Sequence, residues 1–293
     1  MKISLVWSAM PVTKRLDRFW QTRSTLVALN ALAFALLIGV GLNANAAPRD
    51  CTKLTATGNP EYPPYLFREG LESKKLVGAN TEIINLIAKK LGVDIEVTYV
   101  GPWSRAQKEV RDGRTDLIAG AFFTVPRAQY MDYIYPAFLT TNSVVFNNKE
   151  RPVKYEVKED LAKYKGITVI NNSFGQDFDE FAKRSLEIVT VPKLRQAFRV
   201  LNAERADYLL YERSPAEAYA NIWGIGDSVE SLGQPISSEG LYFTLSHKSE
   251  CNTGELRGKL TKAVREIIDQ GLADKALTQG HALWKQNNED KGE

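Results

Sequence analysis

Histidine is scarce in this chain: His247 and His281 are the only two among 293 residues. Imidazole is the commonest general acid or base near neutral pH, and neither His falls in a loop expected to face a binding site. No Gly-x-Ser-x-Gly elbow is present, and no cluster of His, Cys, Asp or Glu has metal-ligand spacing. These absences weigh against acid–base enzymes, serine hydrolases and metalloproteins, and we expect neither a cofactor nor a metal. The N-terminal apolar stretch, Leu26 to Gly41, is about 16 residues long, short of the roughly 20 that span a bilayer. Five of the 38 basic residues but only one of the 35 acidic ones lie before residue 47, so the remainder carries 33 against 34. The basic pI belongs to the N-terminus, and no basic tract is left to hold nucleic acid. There are only two cysteines, Cys51 and Cys251.

The N-terminus has three parts. Lys14, Arg15, Arg18 and Arg23 form a basic flank, the uncharged stretch follows, and Asn43-Ala-Asn-Ala-Ala47 offers small residues at the positions needed for a cut after Ala46. This is the pattern of a secretory signal peptide; a retained anchor is the alternative. Cys51 follows no lipobox-like Leu-Ala-Gly and is not read as a lipid attachment site. In an exported chain, an oxidising compartment favours a disulfide between Cys51 and Cys251 over two separate thiols. That bond would require the two ends of the mature chain to meet.

Beyond the N-terminus the periodicity alternates between strand and helix. Lys53–Thr57 alternates as a strand, and a turn-rich loop holds Pro60, Pro63 and Pro64. A helix capped by Asn80 or Thr81 buries Ile83, Ile84, Ile87 and Leu91. Strand 95–100, a helix opened by Pro102 and strand 116–122 complete a β-α-β-α-β unit. A second unit of the same order runs from strand 167–170 to strand 208–211, followed by a Ser214-Pro-Ala-Glu217 capping box. Between the units lies an extended apolar segment, 137–147. Strand 239–245 and an amphipathic helix built on Leu256, Leu260, Val264 and Ile267 close the chain. The order predicts an α/β fold of two lobes joined by two crossing strands, with lobe one at 47–140 and 240–285, lobe two at 141–239, and a polar tail at 286–293. A cleft between lobes is a usual place for a small-molecule site.

Several motifs, each weak alone, occur in a telling order: Glu61-Tyr-Pro-Pro-Tyr65, Gly78-Ala-Asn-Thr-Glu82, Asp112-Gly-Arg-Thr-Asp-Leu-Ile-Ala-Gly120, Thr124-Val-Pro-Arg127 and Ala206-Asp-Tyr-Leu-Leu-Tyr-Glu212. In these the chain resembles the polar amino-acid family of bacterial periplasmic solute-binding proteins, family 3, with the type II two-lobed fold. The resemblance implies that Arg127 holds a ligand carboxylate, for which the planar guanidinium fork is suited. It gives Thr124 to the same carboxylate, although Thr124 also fits as a helix cap. It implies that Glu212 receives an α-ammonium where the family more often has Asp, and that Tyr62 and Tyr65 form the aromatic region that stacks on the ligand, with one of them, Tyr62 before Tyr65, in contact; packing under the proline-rich loop is the other reading. Ser173, Phe174 and Gly175 lie before a helix N-terminus suited to an anion, or form a plain turn.

Two positions depart from the family pattern. Phe122 stands where a Ser is usual, which leaves its backbone carbonyl as the acceptor for an ammonium. Trp103 lies at the cleft mouth, although its helical spacing also fits core, and Arg105 beside it reads as a surface charge. The implied function is a monomeric periplasmic protein that closes on a polar amino acid or related small carboxylate and delivers it to an inner-membrane ABC permease. The alternatives are an enzyme on the same fold, of the cyclohexadienyl dehydratase type with Glu212 as base, and a ligand-presenting partner of a membrane sensor.

Overall fold

A computed structural model describes residues 51–70 and 72–289. The signal-peptide pattern before residue 47 and the last four residues lie outside that range. The chain begins with β1 (Lys53–Thr57) and three short strands, β2 (Glu61–Tyr62), β3 (Leu66–Arg68) and β4 (Leu76–Val77), which make a small antiparallel sheet of their own. Then follow α1 (Ala79–Leu91), β5 (Asp94–Val97), α2 (Trp103–Arg111), β6 (Leu117–Ala121), the one-turn α3 (Val125–Ala128) and the long β7 (Met131–Asn148). The second unit is β8 (Lys165–Val169), α4 (Gln176–Ser185), β9 (Glu187–Val191), α5 (Leu194–Asn202) and β10 (Tyr208–Glu212). The chain closes with α6 (Arg213–Ile222), β11 (Val229–Ser231), β12 (Ser237–Ser246), α7 (Gly254–Asp269) and α8 (Leu272–Glu289).

One sheet runs through both units in the order β5-β1-β6-β12-β7-β10-β8-β9, with β11 beside β7. β1 is parallel to β5 and β6, and β8 is parallel to β9 and β10, as βαβ crossovers require. β7 passes from one unit to the other. Its first part pairs with β12 from Met131 to Ser143, and its last part pairs with β10 from Ser143 to Asn147. The apolar cores divide along the same strand. Ile134, Phe138 and Leu139 join the first core with Leu54, Ile83 and Phe243, whereas Val144 and Phe146 join the second with Ile167, Phe198 and Leu209. The two-lobed type II architecture is therefore present, with β7 and β12 as the crossing strands.

Two helix starts differ from the sequence expectation. α1 begins two or three residues earlier, behind Gly78, without a side-chain cap. Asn80 and Thr81 are turned inward, where Asn80 Nδ2 donates to the Ala119 carbonyl at 2.6 Å and Thr81 Oγ1 donates to that of Leu76 at 3.1 Å. Likewise Ser214 caps nothing, because β10 runs straight into α6 and Glu212 takes the cap position in extended backbone.

The expected disulfide is present: Cys51 and Cys251 are bonded, with Cα atoms 5.5 Å apart across 200 residues of sequence. In the chain-entropy model, closing a loop of that size stabilises the fold by roughly 5 kcal/mol or less.

The segment read as a polar tail is helical as far as Glu289, because α8 has an apolar anchor that reaches both units. Trp284 packs edge-on against Phe67 at 4.9 Å and against Tyr219 at 5.0 Å. Mid-helix Gly280 lets α8 press on the loop ahead of α1: a Cβ there would run into the Pro64 carbonyl and lie 3.0 Å from the Ala79 nitrogen. Alanine is the better helix former by about 1 kcal/mol, but backbone on both sides leaves it no room. Gly280→Ala is therefore expected to lower stability by about 1–3 kcal/mol, measured by chemical denaturation. A gain in stability would show that the close approach carries no constraint.

Candidate functional site

The strands of both units end at one cleft. From the first unit, the loop after β1 supplies Asn59, β2 supplies Tyr62, α1 supplies Asn80, α2 opens with Trp103, and the end of β6 brings Gly120, Ala121 and the following Phe122. Arg127 comes from α3, and Asn172 and Glu212 come from the ends of β8 and β10 in the second unit. These residues close around a cavity of about 20 Å³, room for one water-sized sphere. Gly120 permits this geometry: its φ is +113°, and a Cβ would stand 2.5 Å from the Asn80 amide nitrogen.

The cleft is closed by polar bonds that cross it. Arg127 Nη2 and Gln107 Nε2 both donate to the Asn171 carbonyl, at 3.2 and 3.1 Å. The Val125 amide donates to Gln176 Oε1 at 2.9 Å. At the other end the Leu194 amide donates to Glu61 Oε2 at 3.1 Å, and Tyr211 Oη donates to the Glu61 carbonyl at 3.3 Å.

Arg127 is buried, with its guanidinium 5.4 Å from the Trp103 ring centre. Its Nη1 donates to the Phe122 carbonyl at 3.2 Å, and Tyr133 Oη donates to the same oxygen at 2.8 Å. Both lone pairs of that carbonyl are thus engaged, so the expectation that it accepts from an ammonium does not fit. Glu212 is only 2% exposed, and its one side-chain donor is Asn172 Nδ2 at 3.4 Å. Burial pushes its carboxyl up to about 7, against the opposing pull of Asn172 and the Arg127 charge. Two further polar atoms facing the cavity are unsatisfied. Asn80 Oδ1 is buried without a partner, and Tyr62 Oη, beside Thr141, makes no hydrogen bond of normal geometry. Buried polar atoms without partners are uncommon in folded proteins.

The remaining expected residues lie near the cavity without lining it. Tyr65 backs Tyr62, with ring centres 5.0 Å apart. The Thr124 hydroxyl caps α3 by accepting from the Arg127 amide at 3.4 Å. Ser173, Phe174 and Gly175 do not line it: Asp179 takes the donors of Ser173 and Phe174, and the Gly175 amide donates to Ser173 Oγ at 3.2 Å. Ser173 Oγ donates to Asp179 Oδ2 at 2.5 Å and the Phe174 amide to Oδ1 at 2.8 Å, while Phe174 packs against Phe178. The Glu239 carboxyl also crowds Gly175, so this helix start has an acidic neighbourhood that disfavours an anion. Arg105 pairs with Glu109 at the surface, as expected. Sequence reading passed over Asn59, Asn172 and Gln107, and read Asn80 only as a cap. Amide side chains in turn-rich loops gave no signal that set them apart from ordinary turn residues.

The family model of bacterial extracellular solute-binding proteins, family 3, matches residues 54–280. The chain belongs to that family. Among family 3 relatives, the L-cystine-binding protein TcyA of Bacillus subtilis is 22% identical over 223 residues, covering 76% of this chain and 78% of TcyA. A histidine kinase sensor domain with similarity to periplasmic binding proteins shares the fold with a TM-score of 0.67 at 20% identity, over 78% of this chain and 95% of that one. An amino-acid ABC transporter substrate-binding protein of Streptococcus pneumoniae, bound to L-arginine, superposes with a TM-score of 0.65 at 19% identity, over 82% and 98%.

A carboxyl held at about 7 in the folded protein, against an ordinary 4.5, disfavours folding once it ionises. The contribution is nil below about pH 4.5, grows as pH rises through about 7, and then levels off at about 3 kcal/mol. Glu212→Gln is accordingly expected to raise the thermal midpoint at pH 8 by several degrees and to change it little at pH 4.5. A midpoint unchanged at pH 8 would mean that the carboxylate is already paired.

Proposed function

We propose that this family member is exported by its first 46 residues to the periplasm and binds a polar amino acid or related small carboxylate for an inner-membrane ABC permease. The observation that carries this reading is the pair of buried groups of opposite kind, Arg127 from one unit and Glu212 from the other, on one cavity. We take lobe one as 47–140 with 240–285, and lobe two as 141–239. The ligand carboxylate replaces the Asn171 carbonyl on Arg127, and the α-ammonium sits on Glu212. Tyr62, Trp103, Asn59 and Asn80 contact the side chain, Phe122 contributes its ring, and Tyr65, Thr124 and Ser173 to Gly175 support from behind.

Admission requires the lobes to part, since the closed cavity holds no more than a water. With a zwitterion inside, the Arg127 bond to Asn171 gives way to a charge-assisted pair. The buried Glu212 also gains a cation in direct contact, where without solute it has only the more distant Arg127 charge. Closure is favoured by the difference in affinity between the open and closed states. TcyA binds L-cystine by its name and the streptococcal protein was solved with L-arginine, which makes amino acids the first ligands to test. The kinase sensor domain on the same fold makes presentation to a membrane receptor the second reading of the partner.

Thermal unfolding of the purified protein against amino acids and small carboxylates tests the assignment. A true ligand at about 100 times its Kd stabilises by roughly 2.7 kcal/mol, and Arg127→Ala is expected to abolish that shift. A shift of equal size in Arg127→Ala would remove the carboxylate role. Turnover of the bound compound would instead make Glu212 a general base. Because an ammonium needs the ionised Glu212, affinity should be full above about pH 7 and fall by up to about tenfold per unit below it. Titration calorimetry from pH 5 to 8 reads this directly; a flat profile would place the ammonium elsewhere.

A further inference from the structure

A second cavity of about 410 Å³ opens beside the first and shares no lining residue with it. The strand alternation of β2 separates the two: Tyr62 lines the small cavity, and its neighbour Glu61 lines the large one. The size is that of a small-molecule site.

Its walls are aromatic. Tyr219 stacks on Trp223 at 4.7 Å between ring centres and meets Trp284 edge-on, while Tyr99 faces them from the first lobe under the guanidinium of Arg68. Its rim is cationic. Lys193 and Arg195, at the start of α5, are exposed and form no salt bridge among the described residues, and Arg195 lies 5.7 Å from the Trp223 ring centre. Among the described residues the one carboxylate in the lining is Glu61, which already accepts the Leu194 amide and lies in the field of Lys193. Three cations against one engaged acid repel a cationic guest and favour an anion, and ring faces on several sides favour a flat one.

We propose that this cavity is a second binding site, for a small organic anion carrying a flat ring, such as an aryl carboxylate. Lys193 and Arg195 hold the anionic end, and Tyr219, Trp223 and Trp284 hold the ring. The walls come from both lobes: Tyr99, Glu61 and Trp284 from the first, Lys193, Arg195, Tyr219 and Trp223 from the second. An occupant makes its full contacts only with the lobes together and so favours the closed state of the neighbouring cleft. The site does not depend on the roles given to Arg127 and Glu212.

The test is a titration of the whole protein with phenylacetate, phenethylamine and acetate, followed by tryptophan fluorescence and calorimetry. The expected result is saturable binding of phenylacetate alone. It should persist in Arg127→Ala and weaken about tenfold in Lys193→Gln/Arg195→Gln, as loss of a charge-assisted contact predicts. Both substituted side chains are exposed, and an unchanged thermal midpoint confirms that the variant is folded. Four outcomes would overturn the proposal. They are no saturation in the millimolar range, phenethylamine binding as tightly as phenylacetate, loss of phenylacetate binding in Arg127→Ala, or full affinity in the double variant.

Discussion

The ladder between β7 and β12 is the constraint on which the molecule depends. β7 is 18 residues long and enters both cores, while β12 follows it from Ser237 to Ser246 and also borders β6. The backbone groups of a central strand must be paired, so the two strands hold a fixed register even where neither core covers them. Phe138 and Phe243 stack across the ladder at 4.0 Å and lock it into the first core. Around Tyr242 the register slips on both of its partner strands, a bulge that bends a strand. Two strands keep the cores in one sheet yet leave the rest of their facing surfaces to be settled by side chains.

Around the small cavity those facing surfaces carry polar groups with unequal partners. Arg127 satisfies its donors on the carbonyls of Phe122 and Asn171, so it is buried at modest cost. Glu212 has its own backbone amide and one long side-chain contact, from Asn172. The closed form without solute therefore keeps one group under strain of desolvation. In the role proposed for this cleft, a solute that brings both a carboxylate and an ammonium improves the position of each residue, and a solute with one of them improves only one. Discrimination thus rests on unsatisfied groups as much as on shape.

The same interface accounts for the neighbouring aromatic cavity. Glu61 docks across the gap onto the start of α5, and Trp284 of α8 reaches Tyr219 of α6. Between these two contacts the surfaces do not meet, and the space is walled by rings. The contacts that bound the small cavity on one side also bound this pocket on the other.

Much was legible in the residues. The alternation at Lys53–Thr57, the apolar face of α1 and the pattern of α5 each reported a local period, and local periods survive folding because they determine which face is buried. Helix starts were read less well. Asn80 and Ser214 have capping chemistry, but capping is a default that a long-range partner overrides, and Asn80 has one in Ala119, 39 residues away. The reading of Ser173 to Gly175 as an anion site failed to foresee Asp179, which reaches back from the first turn of α4. α8 was missed because its anchor, Trp284, packs on Phe67 and Tyr219, far away in sequence. The sequence by itself determined most of the elements and their order, because these rest on short-range periodicity, and Arg127 and Glu212 were singled out by motifs that resemble those of the family. Only the tertiary structure decided which amides line the cavity, which acid is buried without an ion pair and where a second pocket opens. Those depend on pairings such as Glu61 with Leu194 across 133 residues, and no local pattern encodes them.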